Sequence, residues 1–244
     1  MAGDSDDSLN IDRTGDPGEH PGHYPASEVV MELSIEQARA YYPGDDPVHG
    51  FDHVMRVYRI AERLGKEEGA DLEILHTAAL LHDSKGADPR GEENEREVHH
   101  LLSAEFAGTV LTEMGWQPER IAAVQHCIRS HRYRAQDEPP QTIEAMCLFD
   151  ADKLDVLGAI GAARTTAFSA QADLPFYREP SQRFLESGEH EPDELHSAYH
   201  EYLFKLRFVH ERLLTKAGRA IAQQRDAFLR QYFEQLQAEC RGER

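Results

Sequence analysis

Apolar residues recur at helical rather than strand spacing along nearly the whole chain. From about His49 to Glu68, Val54, Val57, Tyr58, Ala61 and Leu64 form one stripe, and Gly69 follows as a stop. Asp71 stands as an N-cap before a third helix running through Leu75, Ala78 and Ala79 to His82-Asp83. A short helix precedes both: Ser34 caps it, Gln37 sits at the capping-box position and Pro43-Gly44 ends it. Further helices are expected near 96–114, 118–131 (Pro118 in the first turn) and 141–170, and two long amphipathic ones over about 193–240, broken around Thr215 to Gly218. Between them, 86–95 and 171–192 are polar or Pro- and Gly-punctuated connections. Strand signals are sparse, so the expected fold class is all-α.

Composition changes this picture at one end. Residues 1–33 hold eight acids against the single base Arg13, with many Gly, Pro and Ser, so a disordered acidic tail over 1–30 is expected. Residues 31–244 then form a single helical domain, its core at about 48–160 and its C-terminal helices at about 193–240. With 26 Lys and Arg against 45 Asp and Glu the formal charge is −19, which excludes duplex nucleic acid as a partner. A phosphorylated ligand must be small and drawn in by a local positive centre. Cys127, Cys147 and Cys240 form no CxxC pair, no secretion signal opens the chain and no apolar run reaches about 18 residues, so a cytoplasmic protein off the membrane is expected.

The candidate chemistry lies where polar residues interrupt apolar stripes. His82 continues Leu75, Ala78 and Ala79; His53 faces Val57, Ile60 and Leu64; Asp152 continues Ala145, Leu148 and Phe149. Each has an ordinary alternative as a hydrogen-bonded core histidine or an ion-paired carboxylate. Together, in the order H, HD, D and with Asp83 beside His82, they make a mixed nitrogen and oxygen set suited to Mn, Fe, Co, Ni, Zn or Mg.

The segments HGFDHVMRV, LLHDSKGAD and FDADKLD resemble the HD superfamily of metal-dependent phosphohydrolases, in particular its bacterial single-domain members. Likeness continues through HHLLSAEFAG, AVQHCIRSHRY and the final helix, covering about residues 34–240. The resemblance implies an HD-type helical bundle with a divalent metal held by His53, His82, Asp83 and Asp152, cleaving a phosphate ester of a small molecule, probable class a nucleotide, with metal-activated water. Some relatives bind two metals through additional histidines; here His99 and His131 are the candidates, as second-metal ligands or as substrate contacts, and His131 is preferred to His126. Where many relatives continue the doublet with an apolar residue, this chain has Ser84-Lys85. Lys153, oriented by Asp155, is the leading phosphate-holding cation, with Asp83 in a catalytic role. Arg56, Lys85, Arg129 and Arg132 are further cations, and His49 is a substrate or supporting contact. A homodimer is compatible with this reading. Two other classes stand beside it: a di-iron HD-type oxygenase, and a non-catalytic interaction protein pinned by a structural metal.

Overall fold

The computed structural model describes residues 32–42, 50–85, 93–132 and 138–244. The acidic segment 1–30, His49 and most of the 86–95 connection lie outside the described residues. Among those described, all regular structure is helical: α1 Ile35–Arg39, α2 Phe51–Glu68, α3 Leu72–Leu81, α4 Glu93–Glu113, α5 Pro118–Ser130, α6 Ile143–Leu154, α7 Gly158–Gln171, α8 Gln182–Ser187, α9 Ala198–Phe204, a 3-10 helix Leu206–Arg212, and α10 Lys216–Cys240.

Local chemistry explains the ends. Ser34 and Gln37 form the reciprocal capping box of α1. Asp71 accepts from the backbone N–H groups of Glu73 and Ile74 at the start of α3 and also holds Arg120 at 3.1 Å, joining that end to α5. Gly69, at φ 78°, closes α2 in the left-handed conformation that glycine adopts without strain.

Helices α2, α3, α5 and α6 pack on one another, α4 lies on α5, and α10 crosses α7, α6 and α2. Their shared interior is filled by Val54, Val57, Leu64, Leu75, Ala78, Ile128 and Leu148, all fully buried. At the outer end, Phe233 of α10 stacks on Tyr202 of α9 with centroids 4.4 Å apart.

Three sequence expectations need correction. The helix expected over 141–170 is two helices, α6 and α7, separated by a reversal at 155–157. Gly158 takes φ 70° there, and a Cβ on Gly161 would stand 2.2 Å from the Val156 carbonyl oxygen, so two glycines permit the turn. The stretch 171–192 is not wholly irregular, because Ser181 caps the short α8. The first of the two long C-terminal helices is instead α9 followed by the 3-10 helix. Lys205 leaves helical geometry between them, and the tighter three-residue repeat buries Leu206 and Val209 together.

Asp150 anchors the second of those helices. Its carboxylate accepts from the backbone N–H groups of Leu214 (2.8 Å) and Thr215 (2.7 Å) and from the Thr215 hydroxyl (2.7 Å), seating α10 on α6. Gly218 makes the approach possible, since a Cβ there would lie 2.3 Å from Asp150 Oδ2. Gly218→Ala is therefore expected to lower the unfolding free energy by about 1–3 kcal/mol in urea titrations, the usual cost of overpacking, with α10 losing protection first in hydrogen exchange.

Candidate metal centre

Five helices each deliver one part of the site. His53 comes from the first turn of α2, His99 from α4 and Asp152 from the last turn of α6. His82 and His131 are the C-cap residues of α3 and α5. At both helix ends the imidazole turns back on its own helix: His82 Nδ1 lies 2.8 Å from the Ala79 carbonyl oxygen and His131 Nδ1 2.5 Å from that of Ile128. His82 thereby engages a carbonyl near the helix end, and His131 adds its ring to a carbonyl that its own backbone N–H also reaches. The Nδ1–H donation also leaves Nε2 bare and aimed inward.

His53 reaches the same state by a different partner. Its Nδ1 stands 2.7 Å from Asp155 Oδ2, a carboxylate only 1% exposed. Asp155 is held in turn by Arg56 Nε (2.8 Å) and Nη2 (3.0 Å) and by Arg164 Nη1 (2.8 Å).

The bare nitrogens and the carboxylates then converge. His53 Nε2 is 3.4 Å from His82 Nε2, and 3.5 Å from both Asp83 Oδ2 and Asp152 Oδ1. On the opposite edge of Asp83, Oδ1 lies 3.5 Å from the Nε2 atoms of His99 and of His131, which are 3.3 Å apart. Asp83 Oδ1 is buried and makes no hydrogen bond. Donor atoms about 2.1 Å from one ion stand about 3.0–3.4 Å from each other, depending on geometry, so these separations are the edges of a coordination shell. They lie at the long, weak end of the hydrogen-bond range or beyond it. An unpaired buried carboxylate oxygen facing lone pairs is costly without a cation between them. The donor set therefore fits divalent metal, as the composition of the ligand set also does.

The electrostatics agree in direction. Burial lowers the His82 pKa to about 4, with the neighbouring imidazoles adding to the shift, so the ring is a neutral ligand near neutral pH. For Asp83, burial opposes ionisation, but His82, His131 and His53 outweigh it and hold the carboxyl well below its usual range. Asp152 follows the same pattern: burial opposes, and Lys153 followed by His53 prevails. His53 moves the other way, because Asp155 and Asp83 outweigh burial and raise it.

The site opens into a cavity of about 500 Å³. His53, Asp83, His99, His131 and Asp152 form one wall; α7 adds Arg164, Thr165, Phe168 and Ser169, α9 adds Glu201, and Lys205 follows just beyond its end. Lys153, 7% exposed, also lines it, but its ammonium sits on Asp152 Oδ2 at 2.5 Å, not on Asp155. The expected orientation of Lys153 by Asp155 is thus corrected: Asp155 is spent on His53 and two arginines. Three of the expected cations point elsewhere. Arg56 braces Asp155, Arg129 holds Glu138 at 2.6 Å together with His126, and Lys85 lies over the Phe106 ring at 4.2 Å. Ser84 returns its hydroxyl to the Leu81 carbonyl oxygen and takes no part. Arg132 does line the cavity. Arg164, Lys205 and the role of Asp155 were not anticipated. The pairing of Asp155 with His53 spans 102 residues and has no local signal, and nothing local marks Arg164 either.

A helical bundle carrying an H, HD, D constellation defines the class, and the comparisons agree with it. The HD domain model matches residues 50–157, and the chain belongs to the HD superfamily. The uncharacterized protein YpgQ of Bacillus subtilis (strain 168) is 30% identical over 197 residues, covering 80% of this chain and 85% of YpgQ. A crystal structure of YpgQ in complex with ADP superposes with TM-score 0.64 at 29% identity, over 84% of this chain and 97% of that one. An HD-superfamily hydrolase from Bacillus thuringiensis gives TM-score 0.59 at 26% identity, over 85% and 96% of the two chains. No helix among the described residues is long and apolar enough to cross a membrane.

Two outcomes follow. Asp155→Asn, which weakens the acceptor behind His53, is expected to lower Mn2+ affinity by about 10- to 100-fold in calorimetric titration with the melting profile of the apo-protein still cooperative. Burial holds the His82 pKa at about 4 when folded, against the ordinary imidazole value of 6.5 when unfolded, so the unfolded state takes up more protons between these values. Metal-free protein is therefore expected to lose on the order of 3 kcal/mol from this group as pH falls from about 6.5 to about 4, and His82→Gln to flatten that part of the denaturation profile.

Proposed function

We propose that the protein is a phosphohydrolase of small nucleotides that would work with two divalent ions, Asp83 lying between the histidines that would hold them. The observation carrying this reading is the split of that carboxylate, with Oδ2 toward His53 and His82 and the unpartnered Oδ1 between His99 and His131. His53, His82 and Asp152 would hold one ion, His99 and His131 the other. Such ions supply a deprotonated water for in-line attack on phosphorus and neutralise charge developing on the phosphate oxygens.

The chain's own groups do the rest. Attack by water breaks the P–O bond to the leaving group, which departs with a proton while phosphate remains. Lys153, fixed on Asp152, places a positive charge at the mouth of the metal centre, where it holds a phosphate oxygen. Phe168, Leu174 and Val209 give the outer cavity apolar surface against which a nucleoside rests and excludes water. A nucleotide is favoured over other phosphate esters because a relative, YpgQ, has been crystallised in complex with ADP. The net charge of −19 argues for a small substrate and against a duplex.

Elemental analysis after Mn2+ loading should find two ions per chain, and His131→Ala should retain one while phosphate release from a nucleotide panel falls by about 100-fold or more. No phosphate released by the wild-type protein from nucleoside mono-, di- and triphosphates under Mn2+, Co2+ or Mg2+ would overturn the assignment.

A further inference from the structure

The cations of the cavity are not equivalent. Lys153 holds Asp152 at 2.5 Å, Lys205 holds Glu201 at 2.8 Å, and Arg132, just past the end of α5, also lines the cavity. Arg164 is committed only in part. Its Nη1 donates to Asp155 Oδ2 at 2.8 Å, whereas its Nε is enclosed without a hydrogen-bond partner. The residue nevertheless lines the cavity. An enclosed guanidinium N–H with no acceptor is a costly arrangement that an incoming oxyanion relieves. The free Nε edge of a guanidinium is also the shape that takes two phosphate oxygens at once.

Its place relative to the metal centre decides which phosphate. The inward-facing His53 Nε2 belongs to the ligand cluster; Asp155 Oδ2 sits on the opposite nitrogen of the same ring, and Arg164 Nη1 meets that same oxygen. One imidazole and one carboxylate separate Arg164 from the ligand atoms. An oxyanion on Arg164 is thus not the phosphoryl group under attack but another group of the same substrate.

We propose that Arg164 is a specificity-determining residue that binds a second phosphate, selecting nucleotides with at least two phosphates over monophosphates. This rests on the nucleotide phosphohydrolase reading, and it adds what α7 contributes to substrate choice. Arg56 is the internal comparison. It grips the same Asp155 with two hydrogen bonds but is not part of the cavity wall, so bracing of Asp155 is common to both arginines and only Arg164 of the two is placed to meet a phosphate.

The test measures ADP and AMP binding to the metal-free full-length protein by titration calorimetry, in parallel with phosphate release from both after Mn2+ loading. Wild type should prefer ADP. Arg164→Ala should reduce the ADP-to-AMP affinity ratio by about tenfold, the value of one charge-assisted contact, and Arg164→Lys, which keeps the charge and can keep Asp155, should restore part of it. Arg56→Ala should leave the ratio at the wild-type value. An unchanged ratio in Arg164→Ala and Arg164→Lys overturns the proposal, and so does an equal fall in Arg56→Ala, which would reduce both arginines to supports of Asp155. If Arg164→Ala does not fold, the lysine variant carries the comparison. Wild-type protein that releases phosphate from AMP and ADP without preferring ADP overturns this inference and leaves the reaction class standing; absence of any release overturns both.

Discussion

A carboxylate enclosed in protein is tolerated only when cations or donors reach both of its oxygens, and three acids at the centre of this bundle meet that demand in three different ways. Asp150 collects backbone N–H groups and the Thr215 hydroxyl and so fixes where α10 begins. Asp155 collects His53 and two arginines, joining α2, α6 and α7 at one point. Asp83 keeps one oxygen without a hydrogen bond, among imidazoles whose other nitrogens are already used. That last arrangement is one that positive charge from outside the polypeptide would stabilise, and α2, α3, α4, α5 and α6 all meet around it.

The same logic links packing to reactivity. The backbone carbonyls of Ala79 and Ile128 and the Asp155 carboxylate hold His82, His131 and His53 in the tautomer that leaves Nε2 free. Neutral His82, with its pKa lowered by burial to about 4, and ionised Asp83 and Asp152 are the protonation states a metal requires, whereas His53, raised by Asp155 and Asp83, is the group that gives up a proton when an ion enters. Each ligand sits at a helix end or on a rigid helix face. The cavity beyond is bounded by residues of α7 and α9, which lie outside the span matched by the HD domain model.

Much of this was legible in the amino-acid sequence because it depends on short-range rules. The helical class, the caps at Ser34 and Asp71, the stop at Gly69 and the displacement of His53, His82 and Asp152 onto apolar stripes follow from spacing of one to seven residues. Periodicity failed where a break lacked a strong local signal. Gly158 and Gly161 are tolerable within a helix, and only their approach to Val156 and Arg225 shows them serving a reversal. Likewise, a 3-10 helix and an α-helix share so much apolar spacing over seven residues that 206–212 reads as either.

What the sequence determined by itself was the inventory: which polar groups must be buried, on which helices, and with which neighbours along the chain. What only the tertiary structure decided was how those groups are shared. Asp155 pairs with His53 across 102 residues and Arg56 across 99, while Lys153 turns to Asp152. Arg164 enters the site because α7 folds back over it, and Asp83 divides its two oxygens between pairs of histidines from four helices. The reason is physical: burial of a polar residue can be inferred from its place on a helix face, but its partner is whichever complementary group the packing of other helices brings within hydrogen-bonding distance.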